Sequence, residues 1–380
     1  MRKIQLLALV IAVCFVGSTG IPQSRRQRRN QPLANGRYRA KRTPWKGPTF
    51  IKAVNLRLLA TTYGDVSNRN GTAVPDDVIQ NFDLSPDGNT LVCAYFPATL
   101  IVWNTRTGTR KKIIELASPG FGDVVFSPDG SFFVTGPGNL AQEKDSHTVT
   151  FWDAKTYRVI GKIHSTGIVE SVKISPDGKS LALVTFVEGS GEEKTILELW
   201  DVQSKKLAPI QPAKGRSIGG SALYIMSRLA FSPDGSKLAT ITKQSIELWD
   251  LTTGELTRTL QVTKGDPTGL WFSPDGQSLV STSELRSAAD QDPVGELIIW
   301  NVADGEKRST LPDFDYATFT PDGKLIASGN KSRDYSLIDV TTGKTISRFP
   351  LIGALRFSRN GKVAASYDEL VVIRTWDVLK

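Results

Sequence analysis

Cysteine and histidine are almost missing from these 380 residues, with two of each. Cys14 lies in an apolar N-terminal run, so once that run is removed as a leader only Cys93 remains and no intrachain disulfide can form. Cys93 sits in the strand-like stretch TLVCAYF with no base nearby to stabilise a thiolate, which marks it as a buried, inert thiol. His147 and His164 read as a loop residue and a strand-end residue. No metal-ligand spacing, phosphate-cradling glycine loop or nucleophile elbow is present, and no cofactor is expected. The body of the chain also lacks a sustained 3.6-residue hydrophobic period, so helices should be few.

Acidic residues are absent from positions 1–48, which hold eleven of the 47 lysines and arginines. The rest carries 36 basic against 38 acidic residues, so the formal charge of +9 belongs to one end and the body is not basic. Residues 1–20, MRKIQLLALVIAVCFVGSTG, have a basic start, an apolar core and small residues near Ser18 and Gly20, as a secretory signal does. Val13 stands where a lipoprotein site would place a small residue before Cys14. The basic cluster beyond the apolar run weighs the other way, toward a short membrane anchor with a cytoplasmic body. The run is short for a span, which favours export to the periplasm, cell surface or medium. Residues 21–48 are expected to be a disordered basic linker, available to an anionic membrane, wall polymer or nucleic acid.

What the body does contain is repetition. The pentad LSPDG at 84–88 returns as FSPDG at 126–130, ISPDG at 174–178, FSPDG at 231–235 and 272–276, FTPDG at 319–323 and a degraded FSRNG at 357–361. The intervals are 42, 48, 57, 41, 47 and 38 residues. A second signal keeps step with it: VWN at Trp103, FWD at Trp152, LWD at Trp200, LWD at Trp249, IWN at Trp300, LID at Ile338 and TWD at Trp376. Six of the eight tryptophans fall on this motif.

Each unit reads as four short strands. Apolar residues alternate before the pentad, as Val124 and Phe126 or Leu229 and Phe231 do, and a period of two marks a half-buried strand. The pentad reverses the chain: Pro presets φ, Asp bonds local backbone, and the glycine (Gly88, Gly130, Gly178, Gly235, Gly276, Gly323, Gly361) accepts positive φ. A second strand, the Trp-Asp strand, a turn such as TTG at 252–254 and a fourth strand follow.

These paired signals resemble the WD-repeat family over residues 49–380. The resemblance implies an all-β, seven-bladed β-propeller with four-stranded blades, acting as a non-enzymatic scaffold for a protein partner. A monomer is expected. A propeller enzyme, of the hydrolase or quinoprotein kind with carboxylates at the channel mouth, is the alternative. Gly-His before the first strand of a unit is absent, and Asp145 is the nearest candidate for the Asp that usually precedes a Trp-Asp strand. The His-Asp network of typical blades is therefore not expected.

The chain stops just after its seventh Trp-Asp strand, leaving that blade one strand short. An uncapped strand exposes a row of backbone donors and acceptors. Val54, Leu56 and Leu58 alternate like a fourth strand, and residues of about 52–60 are expected to close the last blade.

The units differ in a regular way. From pentad Gly to the Trp position the count is 15, 22, 22, 14, 24, 15 and 15, so the excess falls between second and third strands, at 136–147, 187–194 and 284–295. A further insertion, 212–226, lies between a fourth strand and the next first strand, and residues 63–77 extend the approach to the first unit. In an antiparallel blade both kinds of connection emerge on one face, while the two tight turns occupy the other. The variable face is the expected partner surface, with Tyr224, Ile225 and Met226 as apolar contacts, Arg216 in the same insertion, and Glu143, Asp145, Glu188, Glu192 and Glu193 around them.

Overall fold

Central strands in this chain are buried on both faces along nearly all their length, as in TLVCAY at 90–95 and TLIVWN at 99–104, because a sheet lies against each face of them. The outer strand of the same sheet, RKKIIE at 110–115, is mostly exposed. A computed structural model describes residues 50–51, 56–63, 79–95, 98–116, 123–137, 146–187, 194–208, 229–242, 244–285, 294–312, 314, 316–329, 334–350, 354–368 and 372–378.

Twenty-nine strands and no helix are found among the described residues. A short pair, β1 (Phe50–Ile51) and β2 (Leu56–Tyr63), precedes the first blade. Blade one is β3 (Ile79–Leu84), β4 (Thr90–Tyr95), β5 (Thr99–Asn104) and β6 (Arg110–Glu115). Blade two is β7 (Val124–Phe126), β8 (Phe132–Thr135), β9 (Thr148–Asp153) and β10 (Val159–His164). Blade three is β11 (Ile168–Ile174), β12 (Ser180–Val187), β13 (Lys194–Asp201) and β14 (Lys206–Leu207). Blade four is β15 (Leu229–Phe231), β16 (Lys237–Ile241), β17 (Ser245–Asp250) and β18 (Leu256–Gln261). Blade five is β19 (Asp266–Phe272), β20 (Ser278–Leu285), β21 (Val294–Asn301) and β22 (Lys307–Pro312). Blade six is β23 (Tyr316–Phe319), β24 (Leu325–Gly329), β25 (Asp334–Asp339) and β26 (Thr345–Pro350). Blade seven begins with β27 (Leu355–Phe357), β28 (Val363–Asp368) and β29 (Val372–Val378).

Six blades are four-stranded antiparallel meanders, each with its strands in chain order. The seventh runs β27-β28-β29-β2-β1, so the start of the chain completes it. Leu56 pairs with Val378, Leu58 with Trp376 and Tyr63 with Val372, with a register shift between Leu58 and Ala60. The closing strand thus sits later than the expected 52–60: it runs on to Tyr63, and β1 adds a fifth strand. Val54 lies outside the described residues. The strand is longer than its apolar alternation because β29 offers seven residues to pair with, and backbone pairing does not stop where alternation does.

Successive innermost strands are neighbours, and β27 is a neighbour of β3. Arg356 on β27 donates to the Phe82 carbonyl on β3, and the Tyr316 hydroxyl on β23 donates to the Leu355 carbonyl at 2.7 Å. The seven sheets therefore close into a ring. The apolar core is a series of layers between blades rather than one central mass. Val92, Ala94, Leu100 and Val102 of blade one meet Val124, Phe133 and Trp152 of blade two, and Ile246, Leu248 and Leu260 of blade four meet Leu270, Ile298 and Trp300 of blade five.

Candidate functional site

The pentad works as a hydrogen-bonded clip. In six units the Ser or Thr hydroxyl donates to the Asp carboxylate at 2.5–2.6 Å. That hydroxyl also accepts the N–H five residues on, at 2.9–3.1 Å, as from Thr90 to Ser85. The Asp accepts the N–H that follows the glycine, at 3.0–3.2 Å. These bonds favour the ionised carboxylate and hold the six aspartates below their ordinary pKa, with Asp234 lowered to about 2 chiefly by Ser232. All seven pentad glycines lie at φ between 67° and 75°. From blade two onward each would press a Cβ toward the preceding unit's proline, as Gly130 would against Pro86 at 3.3 Å.

The Trp-Asp strands carry a second device, which acts within the blade. Trp152 donates its indole N–H to Thr135, Trp249 to Thr240, Trp300 to Ser281 and Trp376 to Ser366, at 2.8–3.1 Å. In blade three the acceptor is instead the buried Glu198, whose second oxygen receives the Thr166 N–H at 3.0 Å. In blades two, four, five and seven a direct indole-to-hydroxyl bond thus secures the third strand to the second.

Three charged side chains, Asp83, Lys173 and Arg356, line one cavity. One residue per unit stands immediately before the pentad: Asp83, Val125, Lys173, Ala230, Trp271, Thr318 and Arg356. Six of these seven, all but Val125, line a cavity of about 420 Å³ with Phe231, Phe272, Phe319 and Phe357 from the pentads themselves. Both oxygens of Asp83 are engaged, accepting Leu84 N–H at 2.9 Å and Phe126 N–H at 2.8 Å. Burial raises its carboxyl above its ordinary pKa, against the pull of Arg356. Asp123 is equally occupied, by Asn81, the Ser171 hydroxyl and Val172 N–H at 2.7–3.0 Å. Lys173 stands 3.9 Å from it. Arg356 lies 5.0 Å from the centre of the Phe82 ring, and Trp271 meets Tyr316 edge to face at 5.6 Å.

The seventh pentad departs from the others at two positions. Asn360 replaces Asp and accepts the Ser358 hydroxyl at 2.8 Å and Lys362 N–H at 2.9 Å, so the clip survives without charge. Arg359 replaces Pro, and its guanidinium donates to the Pro176 carbonyl of blade three at 3.1 Å. Blades seven and three are not ring neighbours, so this side chain crosses the channel mouth.

The residues expected to meet a partner, Glu143, Asp145, Glu188, Glu192, Glu193, Arg216, Tyr224, Ile225 and Met226, lie outside the described residues. The strands flanking them end on the face opposite the pentads, as antiparallel order requires. Sequence reasoning missed the channel set. Aligning the seven units on the pentad and comparing the position before it would have found Asp83, Lys173, Trp271 and Arg356, because charged and aromatic residues there break an otherwise small or apolar series. Among the described residues no group of three or more His, Cys, Asp or Glu is placed to hold a metal ion. No described helix is long and apolar enough to cross a membrane.

Seven blades, each with a clipped turn and six with a Trp-bearing third strand, make this a seven-bladed β-propeller whose relatives are WD-repeat proteins. No family model matches the chain. It is similar to the guanine nucleotide-binding protein subunit beta of Oryza sativa subsp. japonica, 22% identical over 93% of this chain and 90% of that one. It is also similar to an uncharacterized WD repeat-containing protein of Synechocystis, 30% identical over 43% of this chain and 41% of the relative. A third relative carries a different kind of name, uncharacterized peptidase YuxL of Bacillus subtilis, 27% identical over 55% of this chain and 29% of its own length.

Proposed function

We propose that the chain is an exported, non-enzymatic interaction propeller that presents one face to a protein partner. One observation carries this: the pentad turns and Trp-Asp turns keep nearly constant length from unit to unit, while every insertion falls in connections that emerge on the opposite face. A ring whose architecture tolerates length change at only one face has a surface free to specialise, and loops positioned by a rigid scaffold are where recognition concentrates. WD-repeat relatives over most of the chain support the reading. Residues 1–20 act as the export signal, and residues 21–48 as a basic tether to an anionic surface.

Affinity capture from native extract tests it. Wild type is compared with a variant in which 187–194 and 212–226 are cut to the length of the short blades. Loss of the captured protein on trimming is the expected outcome. Identical capture by both forms would make the insertions neutral drift. The peptidase-named relative favours a second reading, a propeller attached to or derived from a hydrolase. Peptide hydrolysis by purified chain, lost on substitution of a channel carboxylate, would support that instead.

A further inference from the structure

Three cations from two blades meet at the pentad end of the channel: Lys173 and Arg356 line it, and Arg359 crosses it to the Pro176 carbonyl. The acids beside them are bonded to the protein's own groups. Asp83 spends both oxygens on backbone N–H groups, and Asp123 spends its own on Asn81, Ser171 and Val172. The cations are less engaged. Arg356 directs one bond to the Phe82 carbonyl and another to the Tyr316 phenol, two of its five N–H donors. Lys173 pairs with Asp123 at 3.9 Å, beyond hydrogen-bond length, and also lies within electrostatic reach of Asp83. The mouth thus offers charged donors with N–H groups to spare, beside carboxylates that the protein's own donors hold in place. Its remaining wall is largely apolar, with Trp271, Phe231, Phe272 and Phe319 beside Leu229 and Leu270.

We propose that this mouth binds a carboxylate carried on an apolar body, on the face opposite the variable connections and separately from the partner surface proposed above. Charge-assisted bonds from Arg356, Arg359 and Lys173 would hold the carboxylate, and the aromatic wall would take the apolar part. The cavity, about 420 Å³, lies in the range of roughly 300–1,000 Å³ usual for small-ligand sites. The geometry also gives the seventh pentad's departure a role. With proline at 359, as at the matching position of the other six units, nothing from blade seven would reach the axis at this level except Arg356 and Phe357.

Calorimetry on the full chain tests it with four probes: 3-phenylpropanoate, its amide, and a hexapeptide ending in phenylalanine as free acid and as amide. Both acids are sources of the same chemistry, so binding by either one supports the site, and which one binds tells free acid from chain terminus. The amide of each is expected to bind at least about ten-fold more weakly, since a bond to a charged group contributes about 1.5–3 kcal/mol. Arg359→Pro and Lys173→Met should each weaken the acid about ten-fold at unchanged melting temperature. Arg359→Pro restores the residue found in the other units, which protects folding. Absence of acid binding, equal binding of acid and amide, or wild-type affinity in both variants would overturn the site. The loop-trimmed protein should keep full acid affinity, so failure here and failure of the partner face are separate results.

Discussion

The indole N–H of Trp103 is buried without an acceptor because Cys93 stands at the strand position from which Thr135, Thr240, Ser281 and Ser366 accept the same bond in other blades. Register makes the equivalence firm: Leu91 pairs with Trp103, and the acceptor is two residues further along the second strand, as in Leu238 with Trp249 and Thr240. Blade three solves the same problem differently, with Leu183 at that position and Glu198 supplying the oxygen. Blade one has neither. Sulfur is a poor acceptor, and burial pushes the Cys93 thiol well above its ordinary pKa.

Cys93→Ser should therefore stabilise the protein. A hydroxyl at this position supplies the missing acceptor, and satisfying a buried donor contributes about 0.5–1.5 kcal/mol. Chemical denaturation of wild type and variant measures it, with an increase in midpoint at unchanged slope as the expected outcome. Cys93→Ala, which fills neither role, should destabilise.

Acid should unfold the chain, and the sign follows from its turns. Ten aspartates, six in pentads and four after the Trp position, have folded pKa values below their unfolded ones. Each contributes stability that is complete above the unfolded value of about 3.9 and is lost as pH falls through the folded value. For Asp234 that lower end is about 2. Asp83 runs the other way, since its raised pKa means that protonation relieves a burial cost. The majority decides the direction. Melting temperature should be nearly flat from pH 7 to 5 and fall steeply between about 4 and 2; a rise on acidification would contradict the assignment.

Gly130→Ala tests the interlock of neighbouring turns. Its φ of 73° is one that L side chains adopt at a cost of roughly 1–2 kcal/mol, and the added Cβ would lie 3.3 Å from Pro86 of the preceding blade. A loss of about 1–3 kcal/mol by denaturant titration is expected. A neutral result would mean that the turn relaxes without disturbing its neighbour.

Deleting residues 21–48 should abolish sedimentation with anionic vesicles while leaving the melting temperature unchanged. Wild-type binding should weaken steeply between low and high salt. Vesicle binding that survives the deletion would remove the tether role from this segment.

The architecture was legible because its signals are periodic and local. A pentad glycine such as Gly130 and a Trp-strand residue such as Trp249 recur at matched intervals, and a turn's chemistry depends on residues within five positions. Closure was legible from a shortage, since the seventh unit lacked a fourth strand and Leu56 and Leu58 offered one. The end of that strand at Tyr63 was not, because it depends on how much of β29 remains to be paired. The channel residues stayed hidden for the opposite reason to the turns. Lys173, Trp271 and Arg356 each occur once at their position, and a single charged or aromatic residue in a strand carries meaning only after the ring brings it beside its counterparts. The missing partner of Trp103 likewise needed cross-strand register, which spacing does not supply.

Backbone pairing between the start and the end of the chain is what makes seven blades one ring, and removing residues 49–63 should leave insoluble or molten protein. Hydrogen exchange in the intact chain tests that pairing most directly. Amides of residues 56–63 should be protected to the same degree as those of β28, since both strands pair with β29. Exchange across 56–63 as fast as in residues 21–48, with β28 still protected, would contradict the closed ring.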